Sequence, residues 1–515
     1  MLVHHFLERS AAANPDKIAL VHGGEHITYA ALEERAGRLC EALCELGLQP
    51  RDRAVLHLEN SIETLLAVFA VLKAGAIFAL LNPQLKERKL TAILEDCAAA
   101  CVLTDSALGI ECADRAASVR FAVRKGDAEA RMSRLERLHA LRSLHAARTQ
   151  RTVRARQIRE VDVCALIYTS GSTGVPKGVT VTHRNVHAAA SSILEYLDIR
   201  PMDRVLNVLP LASDYGLYNV LMPLRRGATV ILDRPYQQPS QIVGPLNQEK
   251  VTGLPLTPTV VAMLRRFRHL GIRHPDAVRW ITSTGQALTP AHSRWLRSAF
   301  PAARVYSMYG LSECKRVSFL PPEELDRRPA SVGKAIPKTE AFIVDSEGRR
   351  IERAGEIGEL IVRGQHVMQG YWNRPRETAE VLVKDAEGEG FLLRTGDFFK
   401  MDGDGFLYFV GRQDRLIKSG GHRVSPREVE DVIGELEDVC EAAAWGVPHD
   451  VLGEAIHLAV VVQDGSPLTV AQIRAHCEAH LEKYRVPRDV EILPSLPRTA
   501  AGKVDYRSMM AVRVR

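Results

Sequence analysis

The sequence lacks any pair of cysteines separated by two residues, and its nine cysteines are an odd number. In a chain of this length both features argue against a disulfide framework, so we expect reduced thiols. Cys40 and Cys44 are spaced so that both could lie on one helix face, as are Cys97 and Cys101. No nearby histidine or cysteine set completes tetrahedral zinc ligation. We therefore expect these side chains to be buried as small apolar groups.

The sequence also lacks a long apolar run and a secretory signal. No uninterrupted apolar stretch reaches the roughly 20 residues needed to span a bilayer. Residues 1–9 have neither a charged start nor a small-residue cleavage site. The apolar fraction of 46% and the charged fraction of 25% are ordinary for globular domains. We therefore predict a cytoplasmic protein without stable membrane association.

Aromatic side chains are scarce where positive charge is densest. Residues 115–159 hold twelve arginines and one lysine against three acids, a net charge of +10, so the rest of the chain carries −4 of the total of +6. A membrane surface or a nucleic acid could attract such a segment. Its one aromatic residue, Phe121, offers no stacking platform, so we expect a solvated excursion and no nucleic-acid partner. Apolar residues at every third position predict a short surface helix there: Met132, Leu135, Leu138 and Leu141.

A loop rich in glycine and hydroxyl groups follows the apolar run 163–167, which predicts a buried strand. Glycine lets backbone amides turn toward phosphate oxygens, while hydroxyls and the ammonium of Lys177 add donors. It is not a Walker A loop, because Val175 and Pro176 precede the lysine and the strand-like run 179–181 follows it. We predict a polyphosphate site formed by Lys177 with Thr169, Ser170, Gly171, Ser172, Thr173 and Gly174.

This loop resembles the phosphate-binding signature of the AMP-forming adenylate ligases. That superfamily contains acyl-CoA synthetases, adenylation domains of nonribosomal peptide synthetases and firefly luciferase. Further segments match the family in the order in which the family shows them, and coincidence does not account for so many ordered matches. The matching segments are residues 27–32, 72–76, 309–313, 358–360, 370–372, 394–397, 411–418 and 497–505.

The residue pattern and the resemblance both predict an α/β fold in more than one domain, because 515 residues are too many for one core. Strand-like runs alternate with amphipathic segments, which predicts a large N-terminal domain of layered parallel β-sheets with helices. A small α+β C-terminal domain follows. We place the boundary at Asp414, giving domains 1–413 and 414–515, and the resemblance implies that Asp414 is the hinge about which the C-terminal domain rotates.

The resemblance implies an enzyme that joins a carboxylate to AMP, with ATP and Mg²⁺ as its cofactors. Lys177 with its loop would hold the β and γ phosphates, and Glu313 would help to place Mg²⁺. Lys503 would bridge the carboxylate and ATP oxygens during adenylation. Tyr309 would stack on adenine, and Asp397 would accept both ribose hydroxyls. The other implied nucleotide-binding residues are Gly285, Gln286, Ala287, Gly310, Ser312 and Arg412.

In the second half-reaction that the resemblance implies, a phosphopantetheine thiol attacks the acyl-AMP. The C-terminal domain would turn, withdrawing Lys503 and bringing Gly420 and Gly421 to the pantetheine arm, where glycine permits close approach. The chain contains no G-G-x-S carrier-protein signature. The acceptor is therefore expected to be CoA or the phosphopantetheine of a separate acyl or peptidyl carrier protein.

The family register also implies which residues line the acid pocket. Asp214 falls where amino-acid-activating members keep an aspartate for the substrate ammonium, while Ser213 replaces a residue that is often aromatic or histidine. Arg316 could bind a second substrate carboxylate, or it could neutralise Asp214, and both alternatives stay open. The other predicted lining residues are Tyr215, Tyr218, Thr259, Thr282, Thr284, Met308 and Val317.

The leading hypothesis is an enzyme that adenylates a small, amino-bearing carboxylic acid and passes it to a phosphopantetheine thiol. A polar pocket with an arginine suits a small polar acid better than a long alkyl chain. An acyl-CoA or aryl-CoA ligase acting on a non-amino acid is the alternative. The third hypothesis is a nucleotide-binding module without chemistry, against which the presence of Lys177, Glu313, Asp397 and Lys503 argues.

Overall fold

The computed structural model describes most of the chain in two compact units. The described residues are 1–124, 138–140, 157–170, 176–236, 238–265, 271–285, 288–386, 388, 390–412, 415, 417–419, 422–450, 452–499 and 503–511. The first unit comprises Met1–Pro255, Leu311–Lys315 and Gly364–Leu382. The second unit comprises Leu256–Gly310, Arg316–Arg363 and Val383–Arg515.

Short aliphatic runs form the strands of the first unit. Several are buried along their whole length, as expected for parallel strands covered by helices on both faces. The strands are β1 Ile18–His22, β2 Glu25–Thr28, β3 Arg53–His57, β4 Ile77–Leu80, β5 Cys101–Thr104, β6 Phe121–Arg124, β7 Leu138–Ala140, β8 Val163–Ser170, β9 Pro176–Thr182, β10 Arg204–Asn207, β11 Thr229–Leu232 and β12 Gly253–Leu256.

These strands build layered sheets that are mainly parallel. One sheet has the order β7-β6-β5-β3-β4-β8-β9, and its neighbours are parallel except for the antiparallel pair β8 and β9. In the other sheet the order within this unit is β12-β10-β11-β1-β2, and only β1 and β2 are antiparallel among these pairs. The predicted α/β class and parallel layers are confirmed.

Hydroxyl side chains begin several helices of the first unit. Thr28, Ser61 and Ser106 each accept a hydrogen bond from a backbone amide in the first helical turn, which satisfies a donor that the helix itself leaves open. Within the described part of the chain, no helix is long and apolar enough to cross a membrane. The helices are His5–Ala13, Tyr29–Glu45, Ile62–Lys73, Glu87–Asp96, Ala107–Arg115, His183–Tyr196, Asp214–Arg225, Ser240–Gln248 and Pro375–Val381.

The arginine-rich segment contains a strand where a helix was predicted. Leu138 belongs to β7, which pairs in parallel with β6. The helical prediction is therefore wrong at this residue, because the open edge of β6 offers backbone donors and acceptors that an exposed helix would not satisfy. Met132, Leu135 and Leu141 lie outside the described residues.

All nine cysteines are described, and all are buried except Cys44, which is half-buried. Cys40 and Cys44 share the helix Tyr29–Glu45, as predicted. Cys97 and Cys101 do not share a helix. Cys97 caps the end of Glu87–Asp96, the chain then turns through Ala98 at φ 45°, and Cys101 begins β5.

The second unit is built from mixed and antiparallel sheets. One has the order β16-β15-β14-β13, another β17-β18-β20-β19 with β21 on β20, and a third β23-β22-β25-β24 with β26 on β25. Their strands are β13 Trp280–Ser283, β14 Arg304–Tyr309, β15 Ser318–Leu320, β16 Lys334–Ala335, β17 Glu340–Val344, β18 Ile357–Arg363, β19 Leu382–Lys384, β20 Phe391–Met401, β21 Leu407–Arg412, β22 Ile417–Ser419, β23 His422–Val424, β24 Val439–His449, β25 Gly453–Val462 and β26 Asp489–Ile492.

The C-terminal elements pack helices against one antiparallel sheet. Val429, Ile433 and Ile473 from the helices bury against Leu458 and Val460 of β25. The α+β pattern predicted for this region is confirmed. Asp414 lies outside the described residues, so the boundary between 1–413 and 414–515 stays a prediction. The helices of the second unit are Pro258–Arg265, Pro290–Ala299, Pro426–Ile433, Val470–His480 and Tyr506–Ala511, with 3₁₀ turns at Pro275–Ala277 and Pro322–Glu324.

Candidate active site

The antiparallel hairpin of β8 and β9 positions the predicted phosphate loop in the first unit. Its register places Thr169 opposite Lys177 and Ser170 opposite Pro176, so the loop leaves and returns at neighbouring backbone positions. Lys177 is therefore fixed to a strand at the base of the loop. The loop residues Gly171, Ser172, Thr173 and Gly174 lie outside the described residues.

Glu313 is connected to Lys177 through one tyrosine. The hydroxyl of Tyr371 donates a 2.8 Å hydrogen bond to Oε1 of Glu313. The ammonium of Lys177 lies 5.3 Å from the centroid of the same tyrosine ring, within range of a cation–π interaction. The Tyr371 side chain thus contacts both a carboxylate and an ammonium that are far apart in sequence.

The carboxylate of Glu313 fits the predicted Mg²⁺ role. Mg²⁺ is commonly bound by one or two carboxylates together with substrate phosphates, so a single glutamate beside a phosphate loop is a suitable donor set. A separate group of side chains with the spacing of metal ligands is found, among the described residues, at His4, His5 and Glu8. Glu8 accepts a hydrogen bond from Lys73, so that carboxylate is already ion-paired.

A small cavity of about 30 Å³ lies beside Glu313 in the first unit. Asp214 and Tyr218, which were predicted for the acid pocket, line it together with Ser312, which was predicted for the nucleotide site. The remaining wall is mostly aliphatic and comes from the sheet and from neighbouring helices. Those residues are Val3, Phe78, Cys164, Ala165, Ile167, Val181, Val186, Leu217, Leu221, Lys315 and His366.

Lys315 is a charged cavity residue that the sequence analysis missed. Its Nζ lies 3.4 Å from Oδ2 of Asp214 and 3.5 Å from the centroid of the Tyr218 ring. Burial raises the pKa of Tyr218 well above its usual value, and the charge of Asp214 adds to the shift, so this ring stays a neutral phenol. In the sequence this lysine stands two residues after the 309–313 motif, and no local pattern marks its partner.

The start of the helix Asp214–Arg225 positions Ser213 and Asp214, two of the predicted acid-pocket residues. The hydroxyl of Ser213 accepts a 3.0 Å hydrogen bond from the Gly216 amide and donates to the Pro210 carbonyl over 2.7 Å. Ser213 therefore acts as a helix N-cap, and its hydroxyl is held by the backbone. Asp214 in the first turn benefits from the positive end of the helix. Tyr215 is buried beside them.

The predicted ribose-binding aspartate forms a polar cluster in the second unit. Tyr309, at the end of β14, donates a 2.6 Å hydrogen bond from its hydroxyl to Oδ2 of Asp397. Nε of Arg412 lies 3.2 Å from the other oxygen, Oδ1. Asp397 and Arg412 face each other across β20 and β21. Three predicted nucleotide residues are thus brought together, with the Tyr309 ring packed edge-on against Phe399 at 4.9 Å.

The glycines predicted near adenine are only partly described. Gly285, two residues after the end of β13, has a φ of 93°, a conformation that favours glycine. Gly310 follows Tyr309 at the end of β14. Gln286 and Ala287 lie outside the described residues.

The other predicted acid-pocket residues belong to the second unit. Thr282, Thr284, Met308, Arg316 and Val317 are buried there. Thr259 belongs to the same unit, and its hydroxyl contacts Arg498.

The hydroxyl of Thr259 accepts a 2.9 Å hydrogen bond from Nη1 of Arg498, whose Nη2 donates to both carboxylate oxygens of Glu441. This arrangement orients Thr259 toward an arginine of the C-terminal region. A role for Thr259 in acid binding stays a prediction.

Lys503 is exposed next to a short β-bridge between Arg498 and Val504. The amide of Thr499 donates to the carbonyl of Lys503 over 2.8 Å, which holds the backbone of the lysine while the side chain faces solvent. Gly420 and Gly421, predicted for the pantetheine channel, and the hinge residue Asp414 lie outside the described residues.

Comparison with known proteins identifies the family of the chain. Residues 7–372 match the family model described as AMP-binding enzyme, and residues 428–503 match the AMP-binding enzyme C-terminal domain. A long-chain-fatty-acid–CoA ligase of Bacillus subtilis (strain 168) is 30% identical, over 98% of this chain and 93% of its own. An indoleacetate–CoA ligase of Aromatoleum aromaticum is also 30% identical, over 99% of this chain and 98% of its own.

Solved structures show the same architecture. The anthranilate CoA ligase AuaEII in complex with anthranoyl-AMP superposes with a TM-score of 0.90 at 25% identity. The superposition covers 99% of this chain and 97% of that chain. The two-domain fold predicted from the motifs is therefore confirmed.

Proposed function

Because the chain belongs to the AMP-binding enzyme family, we propose that it uses ATP to activate a small carboxylic acid as an acyl-AMP and transfers the acyl group to the thiol of CoA. The observation that carries the proposal is the cluster of Lys177, Tyr371 and Glu313, because it joins a phosphate-binding cation to a carboxylate suited to Mg²⁺. The named activities of the two relatives, which are both CoA ligases, support CoA as the acceptor.

In the first half-reaction, an oxygen of the acid attacks the α-phosphorus of ATP and pyrophosphate leaves. This displacement depends on positioning and charge neutralisation more than on proton transfer. Lys177 donates to phosphate oxygens, Asp397 accepts from the ribose hydroxyls, and Lys503 bridges the carboxylate and the phosphate. Mg²⁺ held by Glu313 would neutralise charge on the phosphates.

In the second half-reaction, the CoA thiol attacks the acyl carbon and AMP leaves. Rotation about Asp414 exchanges Lys503 for the glycines Gly420 and Gly421 at the site. Asp414→Pro restricts φ at the hinge, so it should slow thioester formation and leave ATP–pyrophosphate exchange largely intact. Normal rates of both half-reactions in this variant would contradict the hinge.

The proposed acid lacks an amino group, which revises the leading hypothesis from the sequence. Asp214 was expected to bind a substrate ammonium, yet the ammonium of Lys315 already lies 3.4 Å from it. A substrate ammonium would have to displace that cation or share one carboxylate with it at close range, where like charges repel. The sequence analysis offered Arg316 as a cation that could neutralise Asp214. The structure places the preceding residue, Lys315, next to that carboxylate.

ATP–pyrophosphate exchange across fatty, aromatic and amino acids tests the proposal. We expect exchange with small non-amino acids, followed by thioester formation when CoA is added. Exchange confined to amino acids would restore the ammonium-binding role of Asp214. Transfer only to a phosphopantetheinylated carrier protein would refute CoA as the acceptor. If none of the acids supported exchange, the chain would be a nucleotide-binding module.

A further inference from the structure

The ammonium of Lys315 is held inside the cavity beside Glu313 by two contacts of different kinds. One is the ion pair with Asp214, and the other is the face of the Tyr218 ring, with Nζ 3.5 Å from its centroid. The Lys315 side chain is 6% exposed and that of Asp214 is 25% exposed. Two unit charges are therefore fixed next to one another at the polar end of a mostly aliphatic cavity.

The backbone of Lys315 adds a second, independent cost. Its φ is 67°, in the left-handed region that non-glycine residues rarely adopt. A buried lysine also loses its hydration, which only good partners offset. Glycine would satisfy the backbone at this position without either cost. Backbone strain of this kind is concentrated at functional sites. Because glycine would avoid the strain, the presence of lysine here indicates that its side chain contacts a ligand.

The chemistry of the pair defines the ligand. Lys315 offers N–H donors and Asp214 offers acceptor oxygens, while their charges cancel. A second ammonium in the cavity would lie against the ammonium already there, and a second carboxylate would lie against Asp214 and Glu313. A neutral group that both donates and accepts, such as a hydroxyl, can bond to both partners without adding charge. The cavity has room for such a short substituent but not for a long alkyl chain.

We infer that Lys315 and Asp214 together select a short carboxylic acid that bears a hydroxyl group on its acyl portion. Lys315 donates to the hydroxyl oxygen, and the hydroxyl proton is donated to Asp214. This inference rests on the proposed acid–CoA ligase function and deepens it, because it assigns the substrate class to a residue outside the motifs that mark the family.

Two matched series of acids test the inference by pyrophosphate release. The first is butyrate, 3-hydroxybutyrate, 3-aminobutyrate and succinate, and the second is benzoate with its 3-hydroxy, 3-amino and 3-carboxy derivatives. We expect the hydroxy acid of at least one series to exceed its three counterparts in kcat/KM by about tenfold or more, because a site built around a hydroxyl rejects analogues that lack it. A preference for an unsubstituted, amino or dicarboxylic acid overturns the inference. If none of these acids leads to pyrophosphate release, the result contradicts the ligase function itself.

Variants assign the preference to the pair. Lys315→Met keeps the length of the side chain and removes its charge, so it should lower kcat/KM for the hydroxy acid about tenfold or more and change the unsubstituted acid less than threefold. The double variant Lys315→Met with Asp214→Asn removes both charges of the pair, which guards against misfolding around an unbalanced aspartate. This double variant should have similar kcat/KM values for the hydroxy acid and the unsubstituted acid.

Lys250→Met is the matched control, because Lys250 is an exposed lysine that also has a positive φ, 50°. It should leave the ratio of the two acids unchanged. If the double variant folds and still prefers the hydroxy acid as the unmodified enzyme does, Lys315 and Asp214 do not determine the selectivity for the acyl group.

Discussion

The Tyr371 hydroxyl donates to Glu313 over 2.8 Å, and these two residues come from segments 58 positions apart in the chain. The hydrogen bond orients a carboxylate that the sequence motif alone could not orient. It also explains why an aromatic residue in the 370–372 segment accompanies the glutamate motif. The tyrosine places the carboxylate relative to Lys177, whose ammonium lies beside the same ring.

Glu313→Gln should raise the Mg²⁺ concentration needed for half-maximal ATP–pyrophosphate exchange by about tenfold or more and slow exchange at saturation. The amide keeps the size of the side chain and removes the charge that Mg²⁺ requires. Tyr371→Phe removes only the hydrogen bond that orients the carboxylate and keeps its charge, so its shift should be smaller than that of Glu313→Gln. An unchanged Mg²⁺ curve for Glu313→Gln would show that the metal is held elsewhere.

Asp397→Asn should raise the KM for ATP about tenfold to a hundredfold while leaving the KM for the acid nearly unchanged. Hydrogen bonds to a charged group contribute about 1.5–3 kcal/mol, and the amide can no longer accept at both oxygens. Steady-state kinetics with each substrate varied in turn measure the effect. Tyr309→Phe keeps the ring and removes the hydroxyl that donates to Asp397, so its effect on ATP should be smaller. Equal effects on ATP and acid would place Asp397 outside the ribose site.

Lys503→Ala should abolish acyl-AMP formation and leave thioester formation from supplied acyl-AMP largely intact. The reason is that this exposed lysine is proposed to act only in the adenylating arrangement. The two half-reactions are measured separately, by pyrophosphate exchange and by CoA thioester formation. Lys483→Ala, which changes another exposed lysine of the C-terminal region, serves as the control and should alter neither. Parallel loss of both half-reactions in Lys503→Ala would refute the assignment.

The stability of the C-terminal region should fall as pH rises from about 4.5 to about 7. Burial raises the pKa of Glu430 from its ordinary 4.5 to about 7. In that window the folded state keeps a proton that the unfolded chain releases, so the contribution is complete below the unfolded pKa and is lost as pH passes the folded one. At about 1.4 kcal/mol per pKa unit, the loss is on the order of 3 kcal/mol.

Urea unfolding followed by fluorescence of the buried Trp445 measures this loss. Glu430→Gln cannot titrate and should flatten the pH dependence between pH 5 and 7.5. Glu435→Gln, which changes an exposed glutamate nearby, should retain it. Identical pH profiles for Glu430→Gln and the unmodified protein would exclude Glu430 as the group responsible.

The sequence predicted those features that depend on local pattern. The strands around the phosphate loop, the α/β layers and the family itself follow from apolar runs and from ordered motifs. Lys315 could not be found that way, because its partner Asp214 is 101 residues away and only the tertiary fold brings them together. Leu138 was misassigned for a related reason, since pairing with an edge strand overrides a weak helical period.

Backbone hydrogen bonds tie β9, the strand that follows the predicted phosphate loop, to the segment beside Glu313 without regard to side-chain identity. The amides of Thr180 and Trp372 and the carbonyls of Gly370 and Gly178 pair β9 with residues 370–372, and the amide of Met368 donates to the Glu313 carbonyl. Substitutions along 368–372 that preserve the backbone should therefore be tolerated better than insertions or deletions. A single added residue would shift the two halves of the site against each other, so this stretch limits how the enzyme can change in length as it diverges.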